Sequence, residues 1–397
     1  MRERFKRTSL VYLPEEMPTS PPKVSILILT YNSLTRVGSL FKKVINATCS
    51  ANEQYTNSEL VIVDNASTDG TLEYLLDTCD KRTRIYRLRR NTGYALGNNI
   101  GSELIGKDTD YILIVNDDCV LVPEALQDLV KFAEKDEKAG VIQGIICTYQ
   151  EFSREIVQCK GFFIDFLGFS IPRFLGFRVN EVPEVSSYVS YISGACMLIR
   201  RKALEDVHGI LFSEKLFAYY EDAELCMRLW TRGWKSVALP VLTSYHRGHA
   251  TSPPMKYYLF RNRIISMLPY FARYTSLKPY LLAFTAQKLA KLPRYFLSYI
   301  LSSLKGNNTE NIKYATKGNL YGLLQRHCLK YLNEVLGPHV PLLLVPQSPL
   351  KALKKAITLS LLRGEDPLFR SYIENISTLT LTDRHLRELP TPFLVKI

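Results

Sequence analysis

Short, uninterrupted apolar runs alternate with amphipathic stretches along the first part of this chain. The runs Val24–Thr30, Leu60–Val63 and Tyr111–Val115 are typical of strands that are buried on both faces. Between them, Leu34–Ala47 places apolar residues at a helical period, and Thr71–Cys79 predicts a second helix after a polar turn. Strands that alternate with helices predict βαβ units and a largely parallel sheet.

The pattern becomes less regular downstream. Gly140–Pro183 is rich in Gly, Phe and Ile without a helical period, which favours irregular strands and loops. Val189–Arg200 predicts a further buried strand. Glu221–Arg232 predicts a helix that ends at Gly233, and Trp234–Pro240 predicts the last strand.

Three regions follow from these patterns. Residues 1–22 are expected to be a flexible lead-in without the apolar core of a secretory signal, residues 23–252 an α/β domain, and residues 253–397 a basic, mostly helical region. The 397 residues, 46% hydrophobic and 22% charged, suit one large or two ordinary domains. Eight cysteines without a Cys-x-x-Cys pair indicate reduced thiols, so we expect a cytoplasmic protein.

Positive charge is concentrated in the C-terminal region. Residues 1–250 hold 30 Lys and Arg against 31 Asp and Glu, a net of −1, whereas residues 251–397 hold 21 against 7, a net of +14. Such an excess predicts an anionic partner, either a lipid surface or a nucleic acid.

The segment Tyr257–Leu304 favours the lipid surface. It combines aromatic residues with cations such as Lys288, Lys291 and Arg294, which predicts peripheral attachment to the cytosolic face of a membrane. The alternative is a set of helices packed on the α/β domain with solvated charges. No run of 18 uninterrupted apolar residues predicts a spanning helix.

Polar side chains follow each of the first three predicted strands. Asn116, Asp117 and Asp118 come directly after Val115, where carboxylate oxygens suit Mg²⁺ or Mn²⁺ holding phosphates. Thr30-Tyr31-Asn32 and Asp64-Asn65-Ala66-Ser67 end the other two strands, and together they predict a nucleoside pocket. The alternative for each segment is an ordinary polar turn.

Two further segments are candidates for the same site. Asn91–Gly101 is glycine-spaced, so its backbone could approach a diphosphate or a sugar, although it matches no phosphate-loop fingerprint. Glu221, Asp222 and Glu224 begin a predicted helix, where acids also serve simply as caps. Leu225 and Leu229 should face the core, which leaves the acids at an exposed edge and allows Asp222 to act as a general base.

Histidines follow the last predicted strand. His246 and His249 could each bind a metal or a phosphate, or could be ordinary surface residues.

Taken together, these segments resemble the family 2 glycosyltransferases, especially their rhamnosyltransferase-like branch. The resemblance covers residues 23–265 in order. Its segments are Val-Ser-Ile-Leu-Ile-Leu-Thr-Tyr-Asn at 24–32, Val-Asp-Asn-Ala-Ser-Thr-Asp-Gly at 63–70, Asn-Thr-Gly-Tyr-Ala and Gly-Asn-Asn at 91–99, Asn-Asp-Asp at 116–118, Ser-Gly-Ala at 193–195, Glu-Asp-Ala-Glu-Leu-Cys-Met-Arg at 221–228, and His246.

The resemblance implies the GT-A fold, a Rossmann-like mixed sheet flanked by helices. It also implies transfer of a sugar, with inversion, from a nucleotide-diphosphate donor to a hydroxyl of a lipid-linked or cell-surface glycan. Asp222 would be the catalytic base, Asp118 and His246 would bind Mg²⁺ or Mn²⁺, and Glu221, Glu224 and Arg228 would support the acceptor side. The implied nucleotide-sugar-binding residues are Thr30, Tyr31, Asn32, Asp64, Asn65, Ser67, Asn91, Gly93, Asn98, Asn116 and Asp117.

Two residues depart from the family pattern. Asn116 replaces the first acid of Asp-x-Asp, so metal coordination is expected to rest on Asp118, with Asn116 secondary. Glu224 is one methylene longer than the family's third acid, so it is expected to support the acceptor side while Asp222 acts as the base.

A sugar nucleotidyltransferase would need a glycine-rich basic loop near residues 27–33, which is absent, and nucleic acid is not the expected partner. The sequence does not specify an oligomeric state.

Overall fold

A ten-stranded mixed β-sheet forms the centre of residues 24–246. The computed structural model describes residues 20–149, 155–248, 253–304, 313–314, 316–319, 336–339, 341–361, 367–382 and 394–396. The strands are β1 Val24–Thr30, β2 Ser58–Asp64, β3 Arg84–Arg87, β4 Tyr111–Asn116, β5 Cys119–Leu121, β6 Ala139–Thr148, β7 Val157–Cys159, β8 Phe162–Ile164, β9 Ser170–Pro172, β10 Ser187–Val189, β11 Cys196–Arg200, β12 Lys235–His246, β13 Leu343–Val345 and β14 Leu394–Lys396.

Helices flank this sheet and form most of the described C-terminal region. They are α1 Ser33–Arg36, α2 Ser39–Gln54, α3 Thr71–Thr78, α4 Gly93–Leu104, α5 Ala125–Lys135, α6 Arg201–Glu205, α7 Glu221–Thr231, α8 Pro253–Arg273, α9 Lys278–Leu304, α10 Pro349–Leu361 and α11 Pro367–Ser377. Short 3₁₀ turns lie at Val179–Glu181 and Glu214–Leu216.

The sheet has the strand order β10-β12-β6-β11-β4-β1-β2-β3, with β5 on β12 and β7 on β6. Strands β4, β1, β2 and β3 are parallel, whereas β11 runs antiparallel between β4 and β6. The α/β class with a mixed sheet is confirmed. The expectation of a largely parallel sheet holds for β4, β1, β2 and β3 and for the β6–β12 pair, but β11 lies antiparallel between these two groups.

Three predicted elements have different bounds in the structure. The helix predicted at 34–47 is broken by Gly38, which has a φ of +69°, and α2 then continues to Gln54. The strand predicted at 189–200 is two strands, because residues 190–195 leave the sheet. The last strand extends to His246 through irregular pairing around Pro240, a position where a strand tolerates proline.

Irregular strands and loops were expected for 140–183, and the first part of this range is a long strand whose pairing has register shifts. Ala139–Thr148 forms a ten-residue strand next to β12. A side chain at Gly144 would overlap the carbonyl oxygen of Val241 and the side chain of Thr243, so the glycine allows β6 and β12 to approach at their irregular register. Gly144 is therefore needed for the close contact of two strands and does not indicate a loop.

The described C-terminal residues pack on the α/β domain. The buried Arg173 guanidinium donates to the Leu379 carbonyl at 2.8 Å and to Thr380 Oγ1 at 3.1 Å. The Tyr188 N–H donates to the Leu381 carbonyl at 2.7 Å. Burial lowers the pKa of Arg173 to about 9. These contacts attach the segment after α11 to the sheet edge.

The expectation that Lys288 is one of the lipid-facing cations was wrong. Its side chain is fully buried, its Nζ donates to the Leu167 carbonyl at 3.0 Å, and it lies 4.7 Å from the centroid of the Phe284 ring. The side chains of Lys291 and Arg294, together with His249, Cys328 and residues 1–19 of the predicted lead-in, lie outside the described residues. In the part of the chain that is described, no helix is both long and apolar enough to cross a membrane.

Candidate active site

The polar ends of β1, β2 and β4 lie side by side at one edge of the sheet. Thr30 pairs with Asp64, and Leu29 pairs with Asn116, so all three strands end at the same level. The antiparallel β11 starts at this edge, where the Asn116 N–H donates to the Ala195 carbonyl at 2.9 Å. Parallel strands of an open sheet bring such ends together into a ligand crevice.

The turns after β1 and β2 are fastened to each other. Asn32 and Ala66 adopt positive φ angles of 48° and 65°. The Asn32 N–H donates to Ser67 Oγ at 2.9 Å, and Asn32 Oδ1 accepts the N–H of Thr68 at 2.8 Å. Such strained backbone persists only where its surroundings hold it, and it is common at functional sites.

Asp64 lies beneath these turns. Its carboxylate is fully buried, its Oδ2 accepts the Ser67 N–H at 3.1 Å, and its Oδ1 accepts from Thr30 Oγ1 at 3.4 Å. The Arg87 guanidinium lies 3.8 Å from Oδ2. Asp64 thus shapes the turn, while its contact with a nucleoside base stays a prediction, as do those of Thr30 and the half-buried Tyr31.

Asn65 joins the β2 turn to the segment before α4. Its Nδ2 lies 3.1 Å from Asn91 Oδ1 and 3.2 Å from the Gly93 carbonyl, and its Oδ1 accepts the Thr92 N–H at 2.9 Å. Gly93 has a φ of +82°, and a side chain there would overlap the Phe217 ring. Glycine is therefore required at this position both by its backbone angle and by the neighbouring ring.

The rest of the glycine-spaced segment serves packing. Side chains at Gly97 and Gly101 would overlap Leu29 and Leu27, so both glycines let α4 lie close to β1 instead of meeting a ligand. Asn98 is buried, and its Nδ2 donates to the Tyr94 carbonyl one turn earlier at 2.9 Å. Asn98 Nδ2 thus bonds within α4, while the contact of this residue with the nucleotide sugar stays a prediction.

Asp117 turns away from the metal candidates. Its Oδ2 accepts from Ser33 Oγ and, at 3.2 Å, from Arg36 Nη1. Burial raises the pKa of Asp117, and the Arg36 charge opposes this shift. The residue links the β4 end to α1, and its contact with the nucleotide sugar stays a prediction.

Asp118 and His246 face each other across the cleft edge. His246 Nε2 lies 3.1 Å from Asp118 Oδ1, and His246 Nδ1 lies 2.8 Å from Gln158 Oε1. Gln158 can accept an Nδ1–H and so keep Nε2 available as a ligand atom. A side chain at Gly248, whose φ is +60°, would press on Gln158 Nε2.

A divalent cation fits this pair by its donor chemistry. Carboxylate oxygen suits Mg²⁺ and Mn²⁺, and imidazole nitrogen is a further ligand for transition metals. Among the described residues, no group of three or more His, Cys, Asp or Glu is arranged to hold a metal. The two side chains would leave most of the coordination to a diphosphate and to water, as is usual for nucleotide-bound Mg²⁺.

Asp222 begins α7 on the other side of the β4 end. Its Oδ2 accepts the Gly194 N–H at 3.0 Å, and its Oδ1 accepts the Ala223 N–H at 2.7 Å. Burial raises the pKa of Asp222, and these two N–H groups oppose the rise. The neighbouring Glu221 is buried, and burial together with the charge of Asp222 raises its pKa well above the ordinary carboxyl value.

Tyr94 lies between the two sides of the cleft. Its hydroxyl is 2.8 Å from Asn116 Oδ1 and 3.0 Å from the Gly194 carbonyl. Burial raises the pKa of Tyr94 well above its usual value, so the phenol stays protonated as a donor. Four carboxylates add to this shift, those of Glu221, Asp222, Asp117 and Asp118. The charges of the metal candidate Asp118 and of the base candidate Asp222 therefore both act on this phenol.

The family profile described as Glycosyl transferase family 2 matches residues 25–208. Residues 25–208 form a family 2 glycosyltransferase domain. The match includes β1, β2, β4 and the turns that follow them.

Curated relatives support this assignment. N-acetylglucosaminyl-diphospho-decaprenol L-rhamnosyltransferase of Mycobacterium tuberculosis is 27% identical over 210 residues, which are 48% of this chain and 67% of that protein. Rhamnosyltransferase WbbL of Escherichia coli is 26% identical over 194 residues, covering 46% and 70%. Uncharacterized protein y4gI of Sinorhizobium fredii is 27% identical over 246 residues, covering 58% of this chain and 26% of its own length.

Solved structures of similar topology include mannosyltransferase PcManGT of Pyrobaculum calidifontis with GDP-Man and Mn²⁺. It has a TM-score of 0.48 and 16% identity, covering 86% of this chain and 88% of that one. GalNAc-T7 with UDP, GalNAc and Mn²⁺ also has a TM-score of 0.48, with 15% identity over 69% of this chain and 51% of that one. With both scores below 0.5, the family assignment rests on the sequence matches.

Two residues expected to support the acceptor side, Glu224 and Arg228 of α7, are placed differently from the expectation. Glu224 and Arg228 are buried and form an ion pair, with Glu224 Oε1 2.9 Å from Arg228 Nε. Arg228 also donates to the carbonyls of Ile210 and Leu211 at 2.8 and 3.0 Å. Neither Glu221 nor Glu224 lies at an exposed edge, and Glu224 cannot contact an acceptor while it holds Arg228.

Several contributors to the glycosyltransferase site carry no recognisable sequence signal. Tyr94 and Gln158 are single polar residues whose partners lie 22 and 88 residues away, at Asn116 and His246. Ser33 and Arg36 read as the start of an ordinary surface helix, yet both bind Asp117. Only their long-range contacts reveal them.

Proposed function

We propose that this chain is an inverting glycosyltransferase that moves a sugar from a nucleotide-diphosphate donor to an acceptor hydroxyl. The observation that carries the proposal is the position of the Tyr94 hydroxyl. It contacts Asn116, which lies two residues before the Asp118 metal candidate, and the carbonyl of Gly194, whose N–H holds Asp222. A donor diphosphate and an acceptor hydroxyl would thus meet in one cleft.

The donor side would be built from the strand ends. The turns that carry Tyr31, Asn32 and Asn65 would hold the nucleoside, and Asp118 with His246 would bind Mg²⁺ or Mn²⁺. When bound, such a cation neutralises charge that develops on the leaving diphosphate. Family membership and the donor set of this pair support the metal dependence.

Asp222 would act on the acceptor side. Its carboxylate takes the proton of the acceptor hydroxyl as that oxygen forms a bond to the anomeric carbon. The bond from the anomeric carbon to the diphosphate oxygen breaks in the same displacement, and the nucleoside diphosphate leaves. Attack from the face opposite the leaving group inverts the anomeric configuration.

The names of the relatives suggest the substrates. The Mycobacterium tuberculosis and Escherichia coli relatives are both named as rhamnosyltransferases, and the former acts on N-acetylglucosaminyl-diphospho-decaprenol. We therefore propose a nucleotide-linked L-rhamnose as donor and a polyprenyl-diphosphate-linked saccharide as acceptor.

The exposed side chains of the C-terminal helices would suit an enzyme whose acceptor lies in a membrane. Of the nine exposed large apolar side chains among the described residues, five lie on α9 and α10: Leu282, Leu289, Leu297, Leu350 and Ile357. The exposed Lys351 and Lys354 lie on the same helix as the last two. Apolar side chains beside cations are typical of helices that lie in the surface of an anionic bilayer. We propose peripheral attachment of the chain to the cytosolic face of a membrane.

Vesicle binding tests the attachment. The full chain should sediment with vesicles that contain anionic lipid, and Leu282→Ser with Leu289→Ser should weaken this binding at least tenfold. Leu76→Ser is the matched control, because Leu76 is similarly exposed at 60% but lies on α3. Tighter binding to single-stranded or duplex nucleic acid than to vesicles across a salt series would favour the nucleic-acid alternative.

The catalytic proposal is tested with a panel of UDP-, GDP- and dTDP-linked sugars in Mg²⁺ or Mn²⁺. Release of nucleoside diphosphate is measured with and without a polyprenyl-diphosphate saccharide. Acceptor-dependent release from at least one donor is expected. Release of pyrophosphate from a nucleoside triphosphate and a sugar phosphate would instead favour the nucleotidyltransferase.

A further inference from the structure

The loop before α7 has an unusual backbone. Phe217, Tyr219 and Tyr220 have φ angles of 60°, 69° and 68°, and the next residues are Glu221 and Asp222. Phe217 has a ψ of −59°, and the Ala218 N–H donates to the Leu216 carbonyl at 2.7 Å, which makes a rare, strained three-residue turn. Non-glycine residues keep such angles only where neighbouring groups hold them.

The side-chain amide of Asn262 in α8 binds this loop. Its side chain is fully buried, and its Nδ2 lies 2.6 Å from the Leu216 carbonyl, 2.8 Å from that of Ala218 and 2.8 Å from that of Tyr219. The two hydrogens of one amide are therefore shared among three carbonyls of the strained loop.

Arg261 fixes the orientation of this amide. Its Nε donates to Asn262 Oδ1 at 2.8 Å, and its Nη2 donates to the Lys215 carbonyl at 2.6 Å. A flipped Asn262 would direct its NH₂ group at the Arg261 N–H and its oxygen at three carbonyls. Nδ2 must therefore face the loop.

The loop connects both sides of the active site. The Phe217 carbonyl accepts the Ala95 N–H at 3.0 Å near the start of α4, and the Phe217 ring excludes any side chain at Gly93. The Tyr220 carbonyl accepts the Glu224 N–H at 2.9 Å and so forms the first turn of α7. A shift of the loop would move the start of the helix that carries Asp222.

We propose that Asn262 is a positioning residue for the catalytic base. It holds carbonyls 216, 218 and 219 in the strained conformation, and the loop in turn sets Asp222 against Gly194. The proposal rests on the proposed glycosyl transfer and gives the basic C-terminal region a direct part in it, separate from any membrane contact.

Asn262→Leu tests this role, because it keeps the approximate shape of the side chain and removes the amide nitrogen and oxygen. Gln287→Met is the matched control: Gln287 is also fully buried on a C-terminal helix, and its amide nitrogen and oxygen have no hydrogen-bond partner among the described residues. We expect kcat to fall about 100-fold in Asn262→Leu, since small misplacements of a catalytic group have effects of this size. Affinity for the nucleoside diphosphate should change less than threefold.

A second variant separates positioning from general loss of structure. Glycine adopts positive φ without strain, so Tyr219→Gly added to Asn262→Leu should restore kcat by about tenfold relative to Asn262→Leu alone. Thermal unfolding of each variant shows whether it is folded.

The outcomes are distinct. If the wild type turns over and Asn262→Leu has the kcat of Gln287→Met, the positioning role is overturned while the proposed function stands. The same conclusion follows if the glycine gives no rescue and donor affinity falls in parallel with kcat. A wild type that releases no nucleoside diphosphate from any donor of the panel overturns both proposals.

Discussion

The backbone N–H of Gly194 donates to Asp222 Oδ2 at 3.0 Å, which ties the loop between β10 and β11 to the start of α7. The same Gly194 offers its carbonyl to the Tyr94 hydroxyl at 3.0 Å. One residue thus fixes the proposed base and connects it to the strand end that carries Asn116. The predictions below follow from this arrangement.

Asp222→Asn should reduce kcat about 10²- to 10⁴-fold, because the amide cannot accept the proton of the acceptor hydroxyl. Affinity for the nucleoside diphosphate should be unchanged, since the nucleoside is assigned to the other side of the cleft. Steady-state release of nucleoside diphosphate at saturating donor and metal measures the first effect, and calorimetric titration the second. Full activity in this variant would remove Asp222 from the mechanism.

The pH dependence of kcat/KM should report the same carboxyl. Burial raises the pKa of Asp222 above the ordinary value of 3.8. Because the base must be deprotonated, the rate should fall as the pH decreases through this raised pKa, and the acid limb should lie above the range of an exposed aspartate. The charge of Asp222 also raises the pKa of Glu221, so the acid limb belongs to the pair. An acid limb at or below pH 3.8 would contradict the burial of the base.

His246→Ala should raise the Mn²⁺ concentration needed for half-maximal activity. The loss of this ligand should raise the concentration about 10- to 100-fold. Gln158→Leu, which removes the hydrogen-bond partner of His246 Nδ1, should raise it by a smaller factor. A metal titration of nucleoside diphosphate release measures the shift. His208→Asn serves as the control, because His208 is exposed and has a positive φ that asparagine tolerates. Equal titrations for all four proteins would exclude His246 as a ligand.

Gly93→Ala should destabilise the chain and raise the KM for the donor. An alanine there has an unfavourable φ and also overlaps Phe217. Gly176→Ala separates the two effects, because Gly176 has a similar φ of +85° with nothing near its Cβ position. We expect about 1–2 kcal/mol from the backbone strain in Gly176→Ala and a larger loss in Gly93→Ala. Urea unfolding and donor kinetics test this. Equal losses of unfolding free energy in the two variants would mean that the Phe217 ring moves aside without cost.

Arg228→Ala should cost about 3–5 kcal/mol of unfolding free energy, because it leaves Glu224 as an unpaired buried charge. The pair Arg201–Glu205 has the same i,i+4 spacing but is partly accessible to solvent, so Arg201→Ala should cost no more than about 1 kcal/mol. Urea unfolding compares the two. Activity per folded molecule should stay near that of the wild type in both, and a selective loss of kcat in Arg228→Ala would give the pair a catalytic role.

The sequence was informative wherever local pattern determines structure. The runs at β1, β2 and β4 are buried strands because their residues are apolar on both faces, and parallel strands necessarily bring their polar ends together. Asp118 lies beside His246 and Asp117 is bound by Ser33, while the binding of a metal by Asp118 stays a prediction.

Tertiary context determined what the sequence could not. Glu224 and Arg228 have the spacing of an ordinary surface pair, and only the packing of the 207–211 segment shows that they are buried. Gly97 and Gly101 resemble a ligand loop until Leu29 and Leu27 are seen against them. The contact of Asn262 with the 216–219 loop joins segments more than 40 residues apart, and no local pattern indicates it.

The most direct test of the central claim is the anomeric configuration of the product. A donor from the panel with known configuration is incubated with the full chain, metal and acceptor, and the new glycosidic bond is assigned by NMR. Inversion of the donor configuration is predicted, because one displacement assisted by Asp222 has no second step. Retention of configuration would contradict the account, since it requires a route that does not use Asp222 as the base for the acceptor.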